Sequence, residues 1–252
     1  MGIHYISLMK KFSLQSVFAL SALGMTLIAA PTLVLAQSAH QPSSVVELYT
    51  SQGCSSCPPA DKILGELVQD KDILGLTFSV TYWDYIGWKD TFGNKDNDNR
   101  QVYYKQEFGS RYVYTPQMVV GGKEHKVGSD RSGIKSLIAD NAGHAQQLAL
   151  SWAFNDDMLE VQLPEGDGEA TIWLVDIDRS NDVSIGRGEN TGQKITYHNV
   201  VRKLRSLGNW DGSAQKIVLD LAEMREMGRD GCALIIQQGG HGPIIAALNV
   251  EL

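Results

Sequence analysis

Two of the chain's three cysteines stand in Val46-Glu47-Leu48-Tyr49-Thr50-Ser51-Gln52-Gly53-Cys54-Ser55-Ser56-Cys57-Pro58-Pro59-Ala60, after an apolar run and before two prolines. No other stretch constrains the fold as much. Val45 to Tyr49 reads as a strand, and Pro58 opens a helix to Gln69 whose apolar face is Ile63, Leu64, Leu67 and Val68. Proline is accepted in a first helical turn because its missing N–H has no intrahelical partner anyway. Cys54 then falls just beyond a helix N-terminus, where free N–H groups and the dipole favour an anion and lower a thiol pKa. Cys57, one turn further in, is placed to attack a mixed disulfide formed at Cys54. Ser55 and Ser56 offer hydroxyl donors to a Cys54 thiolate.

The N-terminus bears on the compartment. Lys10-Lys11 precede a largely apolar run from Phe12 to Leu35, which ends in Val34-Leu35-Ala36 before Gln37. A basic region, an apolar region and a small-residue site predict a signal peptide over residues 1–36, cleaved after Ala36. Ser13, Gln15, Ser16, Ser21 and Pro31 argue against an uncleaved spanning helix. Cleavage takes away Lys10 and Lys11 and no acid, so the 22 basic residues fall to 20 against 29 acidic. That balance argues against nucleic acid and against stable association with an anionic membrane. The expected location is periplasmic or secreted, where disulfides persist.

From Val45 to Gln147 strands and helices alternate. Gly75 to Tyr82 reads as a strand, Trp83 to Asn97 as a polar turn-rich segment, and Asn99 to Phe108 as a helix. Pro116 to Val120 and Lys123 to Val127 form a hairpin about Gly121-Gly122. Ser129 to Gln147 closes the segment as a helix with Ser129 or Asp130 as N-cap. From Leu148 onward the pattern is strand-rich with turn signals, as in an antiparallel β-sandwich. The domains expected after the signal are therefore residues 37–147 and 148–252.

The order strand, Cys-x-x-Cys helix, strand, helix, Thr115-Pro116 strand, hairpin partner, helix resembles the thioredoxin fold over residues 44–147. The stretches "ELYTSQGCSSCPPAD", "YWDYIGWKD", "TPQMVVGG" and "TYHNVVRKLRSLGNW" are together similar to the secreted DUF1223 family, whose biochemical function is not established. The expected fold class is thus a thioredoxin-like α/β domain followed by an antiparallel β-sandwich-like domain. The thioredoxin resemblance implies a cis Pro116 facing the cysteines, with the backbone before it free to pair with an extended substrate. An X-Pro bond is otherwise cis in only about 5–6% of folded cases.

Cys54 and Cys57 are the candidate catalytic pair of a thiol–disulfide oxidoreductase acting on a protein or small thiol, without a cofactor. Thr115, Pro116, Trp83, Asp84 and Trp88 are the candidate substrate-binding residues, with Asp84 a possible proton acceptor for Cys57. The aromatics of Tyr82 to Asp90 have an alternative reading as the core of a packed insertion. The pair itself has one as a structural disulfide in a non-catalytic binding or assembly module, although so small a ring restrains the unfolded chain little. A metal site is not expected, since neither a second Cys-x-x-Cys nor a spaced His pair is present. Cys232, in an apolar run, reads as a buried inert thiol, and Asn94 to Arg100 as a solvated loop.

Overall fold

A computed structural model of the protein describes residues 37–252; the segment read as a signal peptide lies outside the described residues. Among the described residues no helix is long and apolar enough to cross a membrane.

The chain enters through a three-residue strand β1 (Ser38–His40) and then β2 (Ser44–Thr50), every residue of which is buried. Helix α1 (Pro58–Leu67) follows, with prolines in its first turn, and leads to β3 (Ile73–Ser79), parallel to β2. A short 3-10 helix (Asp84–Ile86) precedes α2 (Lys95–Glu107). The hairpin of β4 (Gln117–Val120) and β5 (Glu124–Val127) lies beside β2 and antiparallel to it. Its turn residues Gly121 and Gly122 both have positive φ, 61° and 66°. Helix α3 (Arg131–Asp140) starts on Asp130, whose carboxylate accepts the Gly133 N–H. It ends seven residues before Gln147. Asn141 caps it, and the following chain turns to bond Ser43 and to bridge Gln146 with Ala246.

The second segment supplies β6 (Ser151–Asn155), β7 (Met158–Leu163), the long pair β8 (Ala170–Ser184) and β9 (Lys194–Trp210), β10 (Gln215–Asp220), α4 (Leu221–Glu226), β11 (Gly231–Gln238) and β12 (Ile244–Glu251). Two sheets result. One has nine strands in the order β1-β12-β11-β8-β9-β3-β2-β4-β5, and the other three, β10-β7-β6. The smaller sheet covers one face of β8, β11 and β12, with Leu159, Val161 and Ile217 packed on Ile172, Leu234 and Leu248. The boundary read at 147/148 is therefore crossed by a continuous sheet. The seam is the parallel pairing Thr77↔Val200, reinforced by Thr77 Oγ1 donating to the His198 carbonyl and Asn199 Nδ2 donating to the Gly75 carbonyl.

Helices α1 and α3 pack on one face of β2 and β4, burying Ile63, Leu64, Leu67, Ile134 and Leu137 against Val46, Leu48, Met118 and Val120. Alternation along β2 sends Val45, Glu47 and Tyr49 to the opposite face. Helix α2 covers that face with Asn97, Arg100, Gln101 and Tyr104, all buried. The Asn94 to Arg100 stretch, read as a solvated loop, is instead the N-cap and first two turns of this helix. The Asn94 side chain caps the Asn97 N–H, and Asp98 accepts the Thr81 N–H and hydroxyl.

Arg100 reaches Glu47 through two hydrogen bonds of 2.7 Å, Nε to Oε2 and Nη2 to Oε1. Tyr104 and Tyr49 hydroxyls donate to the same carboxylate at 2.7 and 2.9 Å. Gln237 of β11 accepts from Arg100 Nη2 at 2.9 Å and donates to the Tyr104 hydroxyl. Burial disfavours both charges, but each holds the other ionised, Glu47 below the usual carboxylate range and Arg100 above its own. Arg100→Met leaves the Glu47 charge buried and unpaired and should cost about 3–5 kcal/mol, read from urea unfolding. Adding Glu47→Leu should recover much of that loss; equal midpoints for wild type and Arg100→Met would contradict the network.

Candidate functional site

Beyond β2 the chain turns through Ser51 to Cys57 before entering α1. Cys54 N–H donates to the Ser51 carbonyl, Cys57 N–H to the Cys54 carbonyl, and Gly53 N–H to the Ser51 hydroxyl. The turn brings Cys54 and Cys57 into a disulfide. Cys54 is 2% exposed and Cys57 fully buried, whereas Ser55 and Ser56 between them face solvent.

The Thr115-Pro116 bond is cis, and the Thr115 hydroxyl donates to Cys54 Sγ at 3.4 Å. The hydroxyl is aimed by Trp83, whose Nε1 donates to it at 2.7 Å. Ser56 Oγ lies 3.4 Å from the same sulfur. The donors around Cys54 thus differ from those expected at a helix start. Pro58 and Pro59 carry no N–H, and the N–H groups of Ala60 and Asp61 go to the Cys57 carbonyl. Hydroxyls surround Cys54 Sγ instead, and no backbone N–H reaches it among the described residues.

The remaining expected residues wall the turn rather than touch sulfur. Trp88 Nε1 donates to Gln52 Oε1 at 2.8 Å. Asp84, at the start of the 3-10 helix, accepts the Asp90 N–H, and no hydrogen bond joins it to either cysteine among the described residues. Trp83 stacks on Tyr85, which is 78% exposed and borders the site on the solvent side. His125 is held by the Tyr114 and Ser110 hydroxyls, and Cys232 is buried with its thiol pushed up to about 12 by burial.

Four further residues build the site; only Asp90, in the aromatic and acidic stretch Tyr82 to Asp90, was read from sequence as part of a possible wall. Gln52 is buried and anchored at both ends, its N–H to Asp90 Oδ2 and its side chain to Thr91 and Trp88. Asn190, in the turn between β8 and β9, donates from Nδ2 to the carbonyls of Gln52 (3.0 Å) and Cys54 (2.9 Å). Asp90 also accepts the Phe92 and Gly93 N–H groups, yet burial outweighs these bonds and raises its pKa. Asp61 is 3% exposed, and neither of its oxygens has a hydrogen bond among the described residues. Burial pushes its carboxyl up to about 8, and the Asp90 charge adds to that shift. Of the other three, Asp61 left a signal: it is an acid on the stripe of Ala60, Leu64 and Leu67, where an apolar residue is the rule.

Residues 45–237 match a family described as protein of unknown function (DUF1223). The chain belongs to this family. A crystal structure of protein AGR_C_4864 from Agrobacterium tumefaciens is 33% identical, with a TM-score of 0.72, covering 84% of this chain and 95% of that one. HBP35 of Porphyromonas gingivalis shares the fold at 11% identity and a TM-score of 0.51, over 84% of this chain and 75% of that one. No curated protein matches the sequence.

The Asp61 carboxyl has a folded pKa raised from 3.8 to about 8, so the stability tied to its neutral form is complete below the unfolded value and is lost as pH rises towards the folded one. Asp61→Asn should therefore gain on wild type between those two pH values, by up to about 1.4 kcal/mol per unit. Urea midpoints of the two proteins across that range check it; a constant gap contradicts it.

Proposed function

We propose that this DUF1223 protein is a thioredoxin-like thiol–disulfide oxidoreductase of the periplasm or cell exterior, acting on a protein or small thiol without a cofactor. The observation that carries this reading is the unequal treatment of the two sulfurs. Cys54 Sγ is met by the Thr115 and Ser56 hydroxyls, whereas Cys57 is sealed behind it at the N-cap of α1. A purely structural disulfide has no need of donors arranged on one sulfur. Hydrogen bonds to a developing thiolate stabilise it and make it the nucleophile of the pair.

The arrangement β3-β2-β4-β5, with α1 and α3 on one face and α2 on the other, supports the thioredoxin-like part of the reading. So does the placement of Thr115, whose hydroxyl donates to Cys54 Sγ. The signal pattern of residues 1–36 supports export. In the reduced protein Cys54 thiolate attacks a substrate disulfide, forming a mixed disulfide and expelling one substrate thiolate. Cys57 then attacks Cys54 Sγ, closes the ring and expels the second thiolate. The substrate is reduced by the two electrons the cysteine pair loses, and the reverse sequence oxidises a dithiol. The Thr115 backbone, the exposed Tyr85 ring and the half-buried Trp83 ring border the approach to Cys54.

A second reading, a non-catalytic binding or assembly module with a structural disulfide, is favoured by the burial of both cysteines. The two part on reaction with an aromatic disulfide such as dithiobis(nitrobenzoate). Reduced wild-type protein should release two aryl thiolates per chain and keep no label. Cys57→Ser should retain one label on Cys54, and Cys54→Ser should react far more slowly than either. Equal reactivity of the two single variants, or a native pair that resists dithiothreitol, supports the module instead.

A further inference from the structure

The one polar atom of Trp83 is turned into the site. Its Nε1 donates to Thr115 Oγ1 at 2.7 Å, and Thr115 Oγ1 donates to Cys54 Sγ at 3.4 Å. An indole N–H can only donate, whereas a hydroxyl has one proton to give and two lone pairs to accept with. Thr115 is therefore acceptor on the Trp83 side and donor on the sulfur side. Bonds chained in this way polarise one another, so the first strengthens the second. Ser56, the other hydroxyl near Cys54 Sγ, is exposed, and water competes for it.

Both ends of the Trp83–Thr115 bond are held from the same place. Gln101, buried on α2, accepts the Tyr82 hydroxyl at 3.1 Å and donates to the Tyr114 carbonyl at 2.8 Å. Those two tyrosines directly precede Trp83 and Thr115 in the chain. Trp83 also lies against the cysteine turn itself: a Cβ on Gly53 would stand 3.3 Å from both the Trp83 Cβ and its carbonyl oxygen. The Tyr85 ring stacks on the indole. The indole is thus fixed relative to Thr115 and to the residue before Cys54.

We infer that Trp83 is a positioning residue for Cys54: by donating to the Thr115 oxygen it commits that hydroxyl's single proton to Cys54 Sγ, and so favours the thiolate of the reduced pair. The inference rests on the redox reading of this pair. A disulfide sulfur is a weak acceptor and a thiolate a strong one, so the same two bonds stabilise the reduced, ionised Cys54 more than the oxidised form. Trp83 acts through Thr115 and touches no reacting atom. The ionisable groups on the elements around the turn are Tyr82, Asp84 and Asp90 before α2, Asp61 on α1, and Arg187 and Glu189 between β8 and β9. Substituting Trp83 or Thr115, both uncharged, leaves that background in place.

The test is the rate of Cys54 alkylation by iodoacetamide from about pH 4.5 to 9.5, in the full chain carrying Cys57→Ser, whose midpoint is the Cys54 titration. Cys232, buried and with its thiol pushed up to about 12, stays silent over that range. Thr115→Val should raise the midpoint by about one pH unit, the size of one hydrogen bond to a charged group. Trp83→Phe should raise it by about half as much, again in a Thr115→Ser background, and not at all in a Thr115→Val background. No rise on Trp83→Phe, or the same rise without the Thr115 hydroxyl, overturns the inference. If Trp83→Phe does not fold, the Trp83 indole N–H resonance of the folded protein should titrate with the Cys54 midpoint, and a resonance that ignores it overturns the inference alone. A Cys54 that takes up no iodoacetamide at any pH removes the redox reading and this inference with it. That outcome is distinct from a reactive Cys54 whose midpoint is indifferent to Trp83.

Discussion

The ion pair between Glu47 and Arg100 fixes the frame on which the cysteine site stands. Glu47 sits at the centre of β2, the strand that runs on through Thr50 into the Cys54 turn. Arg100 ties that strand to α2, and Gln237 ties both to β11 near the far side of the sheet. Buried ion pairs are not reliably stabilising against apolar replacements, because desolvation offsets the attraction. This one instead makes the arrangement specific. A guanidinium seated between Phe78, Tyr104 and Trp173 reaches both Glu47 and Gln237 only when the two segments of chain meet in one register.

That register matters for the chemistry because the site draws on both segments. The Cys-x-x-Cys turn, the cis proline and the Trp83 wall come from the first. Asn190, which holds the carbonyls of Gln52 and Cys54, and Tyr197, which flanks Asp61, come from the β8–β9 pair. The seam at Thr77 and Val200 delivers these two residues to the back of the turn. The cysteine turn therefore depends on the β-rich segment for two of its buried neighbours. The two sulfurs consequently lie in different surroundings, hydroxyl-rich at Cys54 and closed at Cys57.

Much of the first segment was legible from periodicity. β2, α1, β3 and the Gly121-Gly122 hairpin carry apolar residues at the spacing their structure demands, and Asp130 is a cap of the expected type. The start of α2 was not legible, because its inward face is Asn97, Arg100, Gln101 and Tyr104, at helical spacing but polar. A search for apolar stripes passes over a helix that packs through hydrogen bonds. The continuity of the sheet was hidden for another reason: its seam joins residues far apart in sequence through one parallel pairing. Among the site residues, the cysteines and Thr115-Pro116 were visible as motifs. Asn190 was not, since an asparagine in a glycine-rich turn looks like turn chemistry until the turn is seen lying on Cys54.

The reduction potential of the Cys54–Cys57 couple, equilibrated against glutathione buffers with the oxidised and reduced forms counted by thiol alkylation, tests the central claim most directly. A pair whose first sulfur is stabilised as thiolate should be poised for exchange, with a potential above about −230 mV, in the range of glutaredoxins and disulfide isomerases. A potential below roughly −300 mV, typical of structural disulfides, would contradict the account and leave the pair as a staple of the fold.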